Sequence, residues 1–338
     1  MASVALVFGI NYQHTSKYKL HGCINDARAV ERWLQKSNLY EEVHLYTDED
    51  DDIEGHTTKR GIIKLLTDLT IDSNITRVFL YFACHGSQVK GGADEIDGLD
   101  EVLIPRNYWD RQDICIPSNL ITDNELRVIL GKFKSSVKVS ILFDCCHSGS
   151  MCDLKYSMDI ETMQQIENDC TPCAADITVI SSCRDNQVAT ETTTDGYASG
   201  VFTTMFLAFM SDNKIDTMVV TANDIIAATF DDQRTTQIPT ATSSRVVDQS
   251  TSFFYHTRRR AQIQTKPAKV AETEHIFTTQ VPRLTPDTKL HSTQQLDPST
   301  FEVYASTITL LCILLLTCGL AYLFYILMCR WDIRRTLS

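Results

Sequence analysis

A histidine and a pair of cysteines each follow an apolar run of the kind that forms a buried strand. His85 comes after residues 77–83, and Cys145 and Cys146 come after residues 137–143. If the two strands are neighbours, the imidazole and a thiol meet at one edge of the sheet, because parallel strands present their carboxyl ends together. An imidazole can lower the pKa of a thiol or take its proton, which is the chemistry of a cysteine nucleophile. A buried structural cysteine and a core histidine are the alternative.

Strand-like and helix-like segments alternate along the first 255 residues. Short apolar runs predict strands, and amphipathic stretches opened by capping residues predict helices. This alternation predicts an α/β fold with a mostly parallel six-stranded sheet, covered by helices on both faces. Strands are expected at residues 4–10, 42–47, 77–83, 137–143, 177–181 and 251–255, and helices at residues 25–36, 57–69, 122–133, 200–210 and 222–230.

Charge divides the chain into an acidic body and a basic tail. The 338 residues carry a net charge of −12, but residues 1–255 hold 21 Lys and Arg against 37 Asp and Glu, whereas residues 256–338 hold 10 against 6. Apolar residues make up 43% of the chain and charged residues 22%, which excludes wholesale disorder and a disulfide-stapled miniprotein. An acidic body repels nucleic acid and attracts cations or basic peptides.

The tail contains an uncharged run long enough to cross a membrane. Residues 303–329 are 27 residues without a charge, and about 20 apolar residues span a bilayer as a helix. Residues 256–302, rich in Thr, Gln and Pro, predict a flexible tether, and residues 330–338 form a short basic end. A single-pass membrane protein with a C-terminal anchor is therefore expected. The many cysteines favour a cytosolic body, although the arginines after the span favour the opposite orientation.

Several motifs of the body resemble those of metacaspases in their order and spacing. They are ALVFGINY at residues 5–12, LHGCINDA at 20–27, YFACHG at 81–86, DGLDE at 97–101, ITDNEL at 121–126, FDCCHSG at 143–149, DLKY at 153–156 and SSCRDNQ at 181–187. The Gln-Ala-Cys-x-Gly context of true caspases does not occur in the sequence. The layout resembles a type I metacaspase without its prodomain and with an added C-terminal membrane anchor. The peptidase domain would occupy residues 1–255.

The resemblance implies a caspase-like fold and a cysteine endopeptidase that cleaves after Arg or Lys. His85 would be the general base and Cys146 the nucleophile, since Cys146 directly precedes His-Ser-Gly. Asp26 and Asp144 would bind the basic side chain of the substrate, with Cys23 in the pocket wall. Carboxylates suit this role because they form charge-assisted hydrogen bonds with guanidinium and ammonium groups. A monomer that acts on protein or peptide substrates is expected.

The resemblance also implies an activating calcium site. Its ligands would be Asp100, Asp123, Asn124 and Asp153, whose oxygen atoms are of the hard type that Ca²⁺ takes. Asn124 stands where a second Asp is usual in the family, so the site would have one negative charge less. Calcium dependence is therefore expected to be weaker than in a relative that has Asp there.

Three consecutive arginines follow the last predicted strand. Arg258, Arg259 and Arg260 lie where a protease specific for basic residues could cut to release its own body from the membrane. A basic patch without that role is the alternative. For the whole chain, a catalytically inactive membrane-anchored adaptor or regulator of cell death is the competing function. The sequence retains His85 and Cys146 together with the two pocket acids. This favours an enzyme, because a binding module has no need of all four residues.

Overall fold

The structure, a computed structural model, describes residues 2–49, 55–91, 98–159, 162, 164–194, 196–212, 220–230, 237–247 and 251–254. All of the described residues belong to one compact unit, and residues 289–338 lie outside them. The predicted tether, membrane span, basic end and cleavage site at residues 258–260 also lie outside them. Within the described ranges, no helix combines the length and the apolar character that a membrane span requires.

Strands and helices alternate along the described residues much as expected. The strands are β1 Ala2–Gly9, β2 Glu42–Thr47, β3 Ile75–Ala83, β4 Gly86–Lys90, β5 Leu99–Leu103, β6 Ile121–Thr122, β7 Lys138–Asp144, β8 Tyr156–Met158, β9 Gln165–Glu167, β10 Asp176–Ser181, β11 Glu191–Thr194, β12 Tyr197–Gly200 and β13 Thr240–Ser243. The α-helices are α1 Cys23–Ser37, α2 Lys59–Ile71, α3 Asp123–Leu130, α4 Val201–Asp212 and α5 Ala222–Thr229. The predicted helix at 122–133 ends early because Gly131, a weak helix former, stands at the C-cap of α3.

Eight strands form the central sheet in the order β2-β1-β3-β7-β10-β13-β8-β9. The first five pair in parallel, whereas β13, β8 and β9 are added antiparallel. The predicted α/β class with mostly parallel strands is confirmed. The predicted count of six strands is wrong, because three short strands extend the sheet beyond β10. Two smaller sheets, β4-β5-β6 and β11-β12, lie outside the central one.

The predicted last strand at residues 251–255 does not form in its described part, residues 251–254. Instead β13 occupies the edge of β10. Phe253 and Phe254 are both buried, so the apolar run was a sign of burial and not of strand pairing. The Phe253 N–H donates to the Val220 carbonyl at 2.7 Å, and its carbonyl accepts from the Ser140 hydroxyl at 2.6 Å.

Helices cover both faces of the central sheet, as predicted. Apolar residues of α2 and α3, such as Leu66 and Leu126, pack in one core with Phe8 of β1. Residues of α1, α4 and α5 pack in a second core with Val7, the next residue of β1. Successive strand side chains point to opposite faces, so a continuous apolar strand supplies both cores.

A row of aromatic rings crosses four neighbouring strands on one face. Phe8 pairs in register with Tyr46 and Phe82, and Phe82 pairs with Phe143. Their ring centroids are 5.2, 4.8 and 5.4 Å apart along this row, and each pair is stacked. Such pairs stabilise a sheet beyond the area that they bury. The row therefore stabilises the pairing of β3 with β7 just before His85 and Cys146.

Replacing Phe82 by Ala should destabilise the protein strongly. The ring is 1% exposed and stacks on Phe8 and Phe143, so its loss leaves a cavity between two strands. We expect the free energy of unfolding in urea to fall by about 3–5 kcal/mol. Ile71→Ala is the control, because Ile71 is 74% exposed and its loss should change that energy by no more than about 0.5 kcal/mol. A similar loss in both variants would contradict the role of the aromatic row.

Candidate active site

The pairing of β3 with β7 brings His85 close to Cys146. Ala83 at the end of β3 lies opposite Asp144 at the end of β7, so the residues that follow leave the sheet side by side. A Cβ atom on Gly86 would lie 2.1 Å from the Cys146 carbonyl oxygen. Only glycine fits at this distance, and the two loops therefore pack backbone against backbone.

Hydrogen bonds hold the backbone and the ring of His85. Its N–H donates to the Tyr12 hydroxyl at 2.9 Å, and that hydroxyl donates to the Ile104 carbonyl at 2.5 Å. The ring atom Nε2 lies 2.8 Å from the Tyr18 carbonyl oxygen, which can only accept, so Nε2 carries a proton. The rings of Tyr12 and Trp109 pack at 4.8 and 5.6 Å from the imidazole.

The protonation state of His85 leaves one ring nitrogen free to accept. Desolvation lowers the pKa of the imidazole below its usual 6.5, although the Tyr18 carbonyl and the Glu191 carboxylate oppose this. At neutral pH the ring is therefore uncharged. Because Nε2 holds the proton, Nδ1 is the atom that can take one from a donor.

The thiol of Cys146 is half-buried and protonated at neutral pH. Its Sγ lies 3.9 Å from the Ala189 carbonyl oxygen, and among the described residues no hydrogen bond joins it to His85. Desolvation, with smaller contributions from Cys183 and Asp144, raises the pKa of this thiol to about 12. Catalytic contacts are often long before substrate binds, so this geometry is compatible with a base that acts on a thiol.

The preceding thiol, Cys145, is unsuited to be the nucleophile. It is completely buried, and its Sγ lies 3.4 Å from the Sγ of Cys84 on the neighbouring strand end. Burial raises the pKa of Cys145 well above its usual range, and the contact with Cys84 adds to this effect. A nucleophile must reach its substrate as a thiolate, so the accessible Cys146 is the better candidate.

Two buried carboxylates lie beneath this edge of the sheet. Asp26, in the first turn of α1, is 4% exposed, and Asp144 is 7% exposed. A Cβ atom on Gly200 would lie 3.1 Å from the Oδ2 of Asp26 and 2.5 Å from that of Asp144, so both acids flank this glycine. The Gly200 N–H donates to Asp26 at 2.7 Å, and the Thr203 hydroxyl donates to Asp144 at 2.6 Å.

Burial makes these acids hard to ionise. Desolvation raises the pKa of Asp26 well above its usual range, and repulsion from Asp144 adds to this. Desolvation also raises the pKa of Asp144, while the hydroxyls of Thr203 and Ser182 oppose the rise. In the described part of the chain, no Lys or Arg forms a salt bridge with either acid. A basic side chain that entered the site would favour their charged forms.

Three residues around the two buried acids, Tyr81, Thr203 and Glu191, are not predicted from the sequence. Tyr81 lies 2.6 Å from the Thr203 hydroxyl and so extends the hydrogen bonds of Asp144. Cys23, which the sequence does predict at this site, is buried, and its Sγ donates to the Glu191 carboxylate at 3.9 Å. Thr203 and Glu191 lie on α4 and β11, far along the chain, and no local pattern marks them.

The residues predicted to bind calcium lie together around the start of α3. Asp123 is fully buried and its carboxylate accepts from the Glu101 N–H at 2.8 Å, while the Asn124 amide donates to Asp100 at 3.2 Å. Desolvation and then repulsion from Asp153 raise the pKa of Asp123 to about 8. Within the described residues, however, no group of three or more acidic, His or Cys side chains is arranged to hold a metal ion.

A cavity of about 740 Å³ adjoins this acidic cluster. Its lining includes Glu101, Asn124, Asp153 and the two cations Arg127 and Arg184. Neither His85, Cys146 nor the two buried pocket acids line it. The cavity therefore lies beside the acidic cluster at the start of α3 and does not include the candidate catalytic residues.

The chain is similar to metacaspases. Residues 4–155 match the family described as "Metacaspase, peptidase C14 domain". Inactive metacaspase-4 of Trypanosoma brucei brucei is 30% identical over 58% of this chain and 57% of its own length. Metacaspase-3 of Trypanosoma cruzi is 28% identical over 74% and 73%, and metacaspase-1 of Saccharomyces cerevisiae S288c is 33% identical over 45% and 35%. The chain thus spans only part of these relatives.

A solved structure shares the fold. The crystal structure of a Geobacter sulfurreducens protein superposes with a TM-score of 0.52 and covers 76% of this chain and 97% of its own. At 20% sequence identity this similarity concerns the fold alone. Together with the domain match, it agrees with a caspase-like α/β fold that has a mixed, mostly parallel sheet.

The high pKa of Cys146 predicts slow alkylation at neutral pH. A rise from 9.0 to about 12 lowers the thiolate fraction about a thousand-fold, and only the thiolate reacts with iodoacetamide. We expect Cys146 to be modified far more slowly than the exposed Cys115 at pH 7, with a rate that keeps rising into the alkaline range. Peptide mapping by mass spectrometry measures both rates in one sample. Faster modification of Cys146 than of Cys115 at pH 7 would contradict the raised pKa.

Proposed function

From the premise that the chain is a metacaspase, which the domain match and the curated relatives support, we propose that it is an active cysteine endopeptidase cleaving after Arg or Lys. One observation carries the proposal. The edge of the sheet that holds His85 and Cys146 also holds the two buried carboxylates Asp26 and Asp144. A thiol, a neutral base that can take its proton and carboxyl groups that can bind a cation are the parts that this reaction requires.

The proposed reaction begins with the thiol and imidazole both uncharged. Nδ1 of His85 takes the proton of Cys146 as Sγ attacks the carbonyl carbon of the scissile bond. The bond to the leaving nitrogen then breaks, and the imidazolium returns its proton to the departing amine. Water, deprotonated by the same imidazole, attacks the thioester and releases the carboxylate product and the free thiol. Each proton taken by His85 is thus given back within one half of the cycle.

The pocket acids supply the proposed specificity. A guanidinium or ammonium group placed beside Asp26 and Asp144 gains charge-assisted hydrogen bonds and lowers the pKa of both acids. The carboxylates are held by the Gly200 N–H and the Thr203 hydroxyl, so they are oriented before a substrate arrives. A neutral or acidic side chain would leave two buried carboxyls without a cation. The proposed preference is therefore for Arg and Lys.

A second candidate function is that of an inactive, membrane-anchored adaptor. The protonated thiol of Cys146, which no hydrogen bond joins to His85 among the described residues, favours it. So does the similarity to a relative that is named inactive. Such a protein would bind partners through its body without turnover, and a peptidase assay separates the two candidates.

Calcium stimulation is part of the proposal. Asp100, Asp123, Asn124 and Asp153 supply oxygen donors of the type that Ca²⁺ prefers, and Asp123 and Asp153 repel each other. Bound calcium would neutralise this repulsion and fix the start of α3 against the loop of Asp153. No step of peptide cleavage requires the ion itself.

Membrane attachment and self-cleavage are proposed from sequence alone. The uncharged residues 303–329 would anchor the chain, with the peptidase body in the cytosol, and cleavage after Arg258, Arg259 or Arg260 would free it. Both would be visible in a fractionation experiment with the full chain. Under activating conditions a shortened, released body should appear from the wild type and not from Cys146→Ala.

Peptidase activity should depend on Cys146 and on a basic residue before the cleaved bond. We expect the full chain to hydrolyse an Arg-ended fluorogenic peptide, and Cys146→Ala and His85→Ala to lose at least about a thousand-fold in kcat/KM. Cys170→Ala is the matched control, since Cys170 lies outside the site and should keep the activity. Absence of hydrolysis by the wild type, with or without calcium, would contradict the peptidase proposal and favour the inactive adaptor.

Calcium dependence should strengthen when Asn124 becomes Asp. The added carboxylate restores a negative charge to the proposed site, so Asn124→Asp should reach half-maximal activity at about ten-fold lower calcium than the wild type. Asn124→Ala, which removes the oxygen donor, should need more calcium. Titration of peptidase activity from chelator to millimolar calcium measures all three proteins. A flat titration for the wild type would show that calcium has no role here.

A further inference from the structure

Glu191 lies between the candidate nucleophile and the pocket wall. It opens β11, two residues after Ala189, whose carbonyl contacts the Cys146 thiol. Its carboxylate reaches in the other direction to the start of α1, where Oε1 accepts from the Gly22 N–H at 2.8 Å and lies 3.9 Å from the Cys23 thiol. Residues 189–191 therefore contact both the Cys146 thiol and the start of the helix that carries Asp26.

The carboxylate of Glu191 lies in close contact with the backbone at the start of α1. A Cβ atom on Gly22 would lie 2.9 Å from its Oε1, so the carboxylate sits directly on the helix backbone. The same helix end is tied to the β11-β12 hairpin by the Asn25 amide, which donates to the Ala198 carbonyl at 2.8 Å. Each carboxylate oxygen can accept more than one hydrogen bond, so Glu191 is held in place with acceptor capacity remaining.

The charge of Glu191 acts on four groups of the site, namely Cys23, Asp26, Asp144 and His85. It raises the pKa of Cys23, Asp26 and Asp144, which means that its negative charge is close enough to disfavour theirs. It also raises the pKa of His85, against the larger effect of desolvation. Glu191 is half-exposed at the start of α1, whereas the neighbouring Asp26 and Asp144 are buried.

We propose that Glu191 is a specificity-determining residue, the third carboxylate of the pocket, which selects a cationic substrate side chain as it enters. The proposal rests on the proposed peptidase function and deepens it. Asp26 and Asp144 are buried and resist ionisation, whereas the half-exposed Glu191 offers its charge where an arriving guanidinium first loses water. Selection for positive charge would therefore be shared between the half-exposed Glu191 and the buried Asp26 and Asp144.

A purely structural role for Glu191 predicts something different. The carboxylate lies at the N-terminus of α1, where an acceptor for the Gly22 N–H and a negative charge both stabilise a helix. If this were its whole role, replacing it would weaken binding of every peptide in the same proportion. Only a role of Glu191 in the pocket would change the discrimination between a charged and a neutral side chain.

The test compares peptides that differ only in charge. An Arg-ended peptide and its citrulline-ended counterpart have nearly the same shape, but only the first is cationic. Binding of each to the full chain carrying Cys146→Ala, measured by calorimetry, gives the ratio of the two dissociation constants without any cleavage. The ratio is then measured again with Glu191→Gln, Glu191→Asp and Glu31→Gln added separately.

Glu191→Gln should lower the preference for Arg over citrulline about ten-fold, the size of one charge-assisted hydrogen bond, because the amide can still accept from Gly22 but carries no charge. Glu191→Asp keeps the charge and should keep most of the preference. Glu31→Gln removes a carboxylate about 12 Å further along α1 and should leave the ratio unchanged.

Two results would overturn the proposal. One is an equal weakening of both peptides by Glu191→Gln, which a helix-capping role alone would produce. The other is a loss of preference in Glu191→Asp as large as that in Glu191→Gln, which would exclude charge as the cause. Failure of the peptidase function is seen separately, as absence of hydrolysis by the wild type, because the binding ratio does not depend on turnover.

Discussion

The parallel pairing of β3 with β7 is the constraint on which the rest of the site depends. One register sets Ala83 opposite Asp144, brings the thiols of Cys84 and Cys145 to 3.4 Å and then places Gly86 against the carbonyl of Cys146. A slip of one residue would turn every side chain to the other face of the sheet. The aromatic row across the four strands, together with the glycine contact, makes this register the one that packs. His85, Cys146 and Asp144 are thus positioned by the register of one pair of strands.

Burying acids without a cation is costly, and the structure limits that cost in a specific way. Asp26 and Asp144 keep hydrogen bonds to the Gly200 N–H and the Thr203 hydroxyl, so their oxygen atoms are not left without donors. Their pKa values are raised chiefly by desolvation, with added repulsion from Asp144 on Asp26 and from Glu191 on Asp144. Under the proposed function, this unfavourable energy would be released when a basic side chain enters. The same burial that disfavours the charged acids would then provide the selectivity of the site.

The sequence predicted the local parts of this arrangement well. The apolar strands, the amphipathic helices and the strand-end residues His85 and Cys146 are all marked by patterns within about ten residues, and the class of fold followed from their alternation. The antiparallel extension by β13, β8 and β9 was not predicted, because these strands are short and polar and pair only once the parallel sheet exists.

The pocket shows the same limit more sharply. Asp26 and Asp144 are predicted by motifs, but Thr203 lies 59 residues from its partner Asp144 and Glu191 lies 169 residues from its partner Gly22. Neither a capping signal nor a periodic pattern distinguishes these two residues. The apolar residues Phe253 and Phe254 predict a strand, but an apolar run indicates burial, and burial alone does not indicate pairing.

In the proposed peptidase, selection of the substrate and reactivity of the thiol would both depend on Asp144. Asp144 raises the pKa of Cys146, so a cation bound beside Asp144 must act in the opposite direction and favour the thiolate. An occupied pocket would therefore make the nucleophile more reactive than an empty one, which would couple recognition to chemistry.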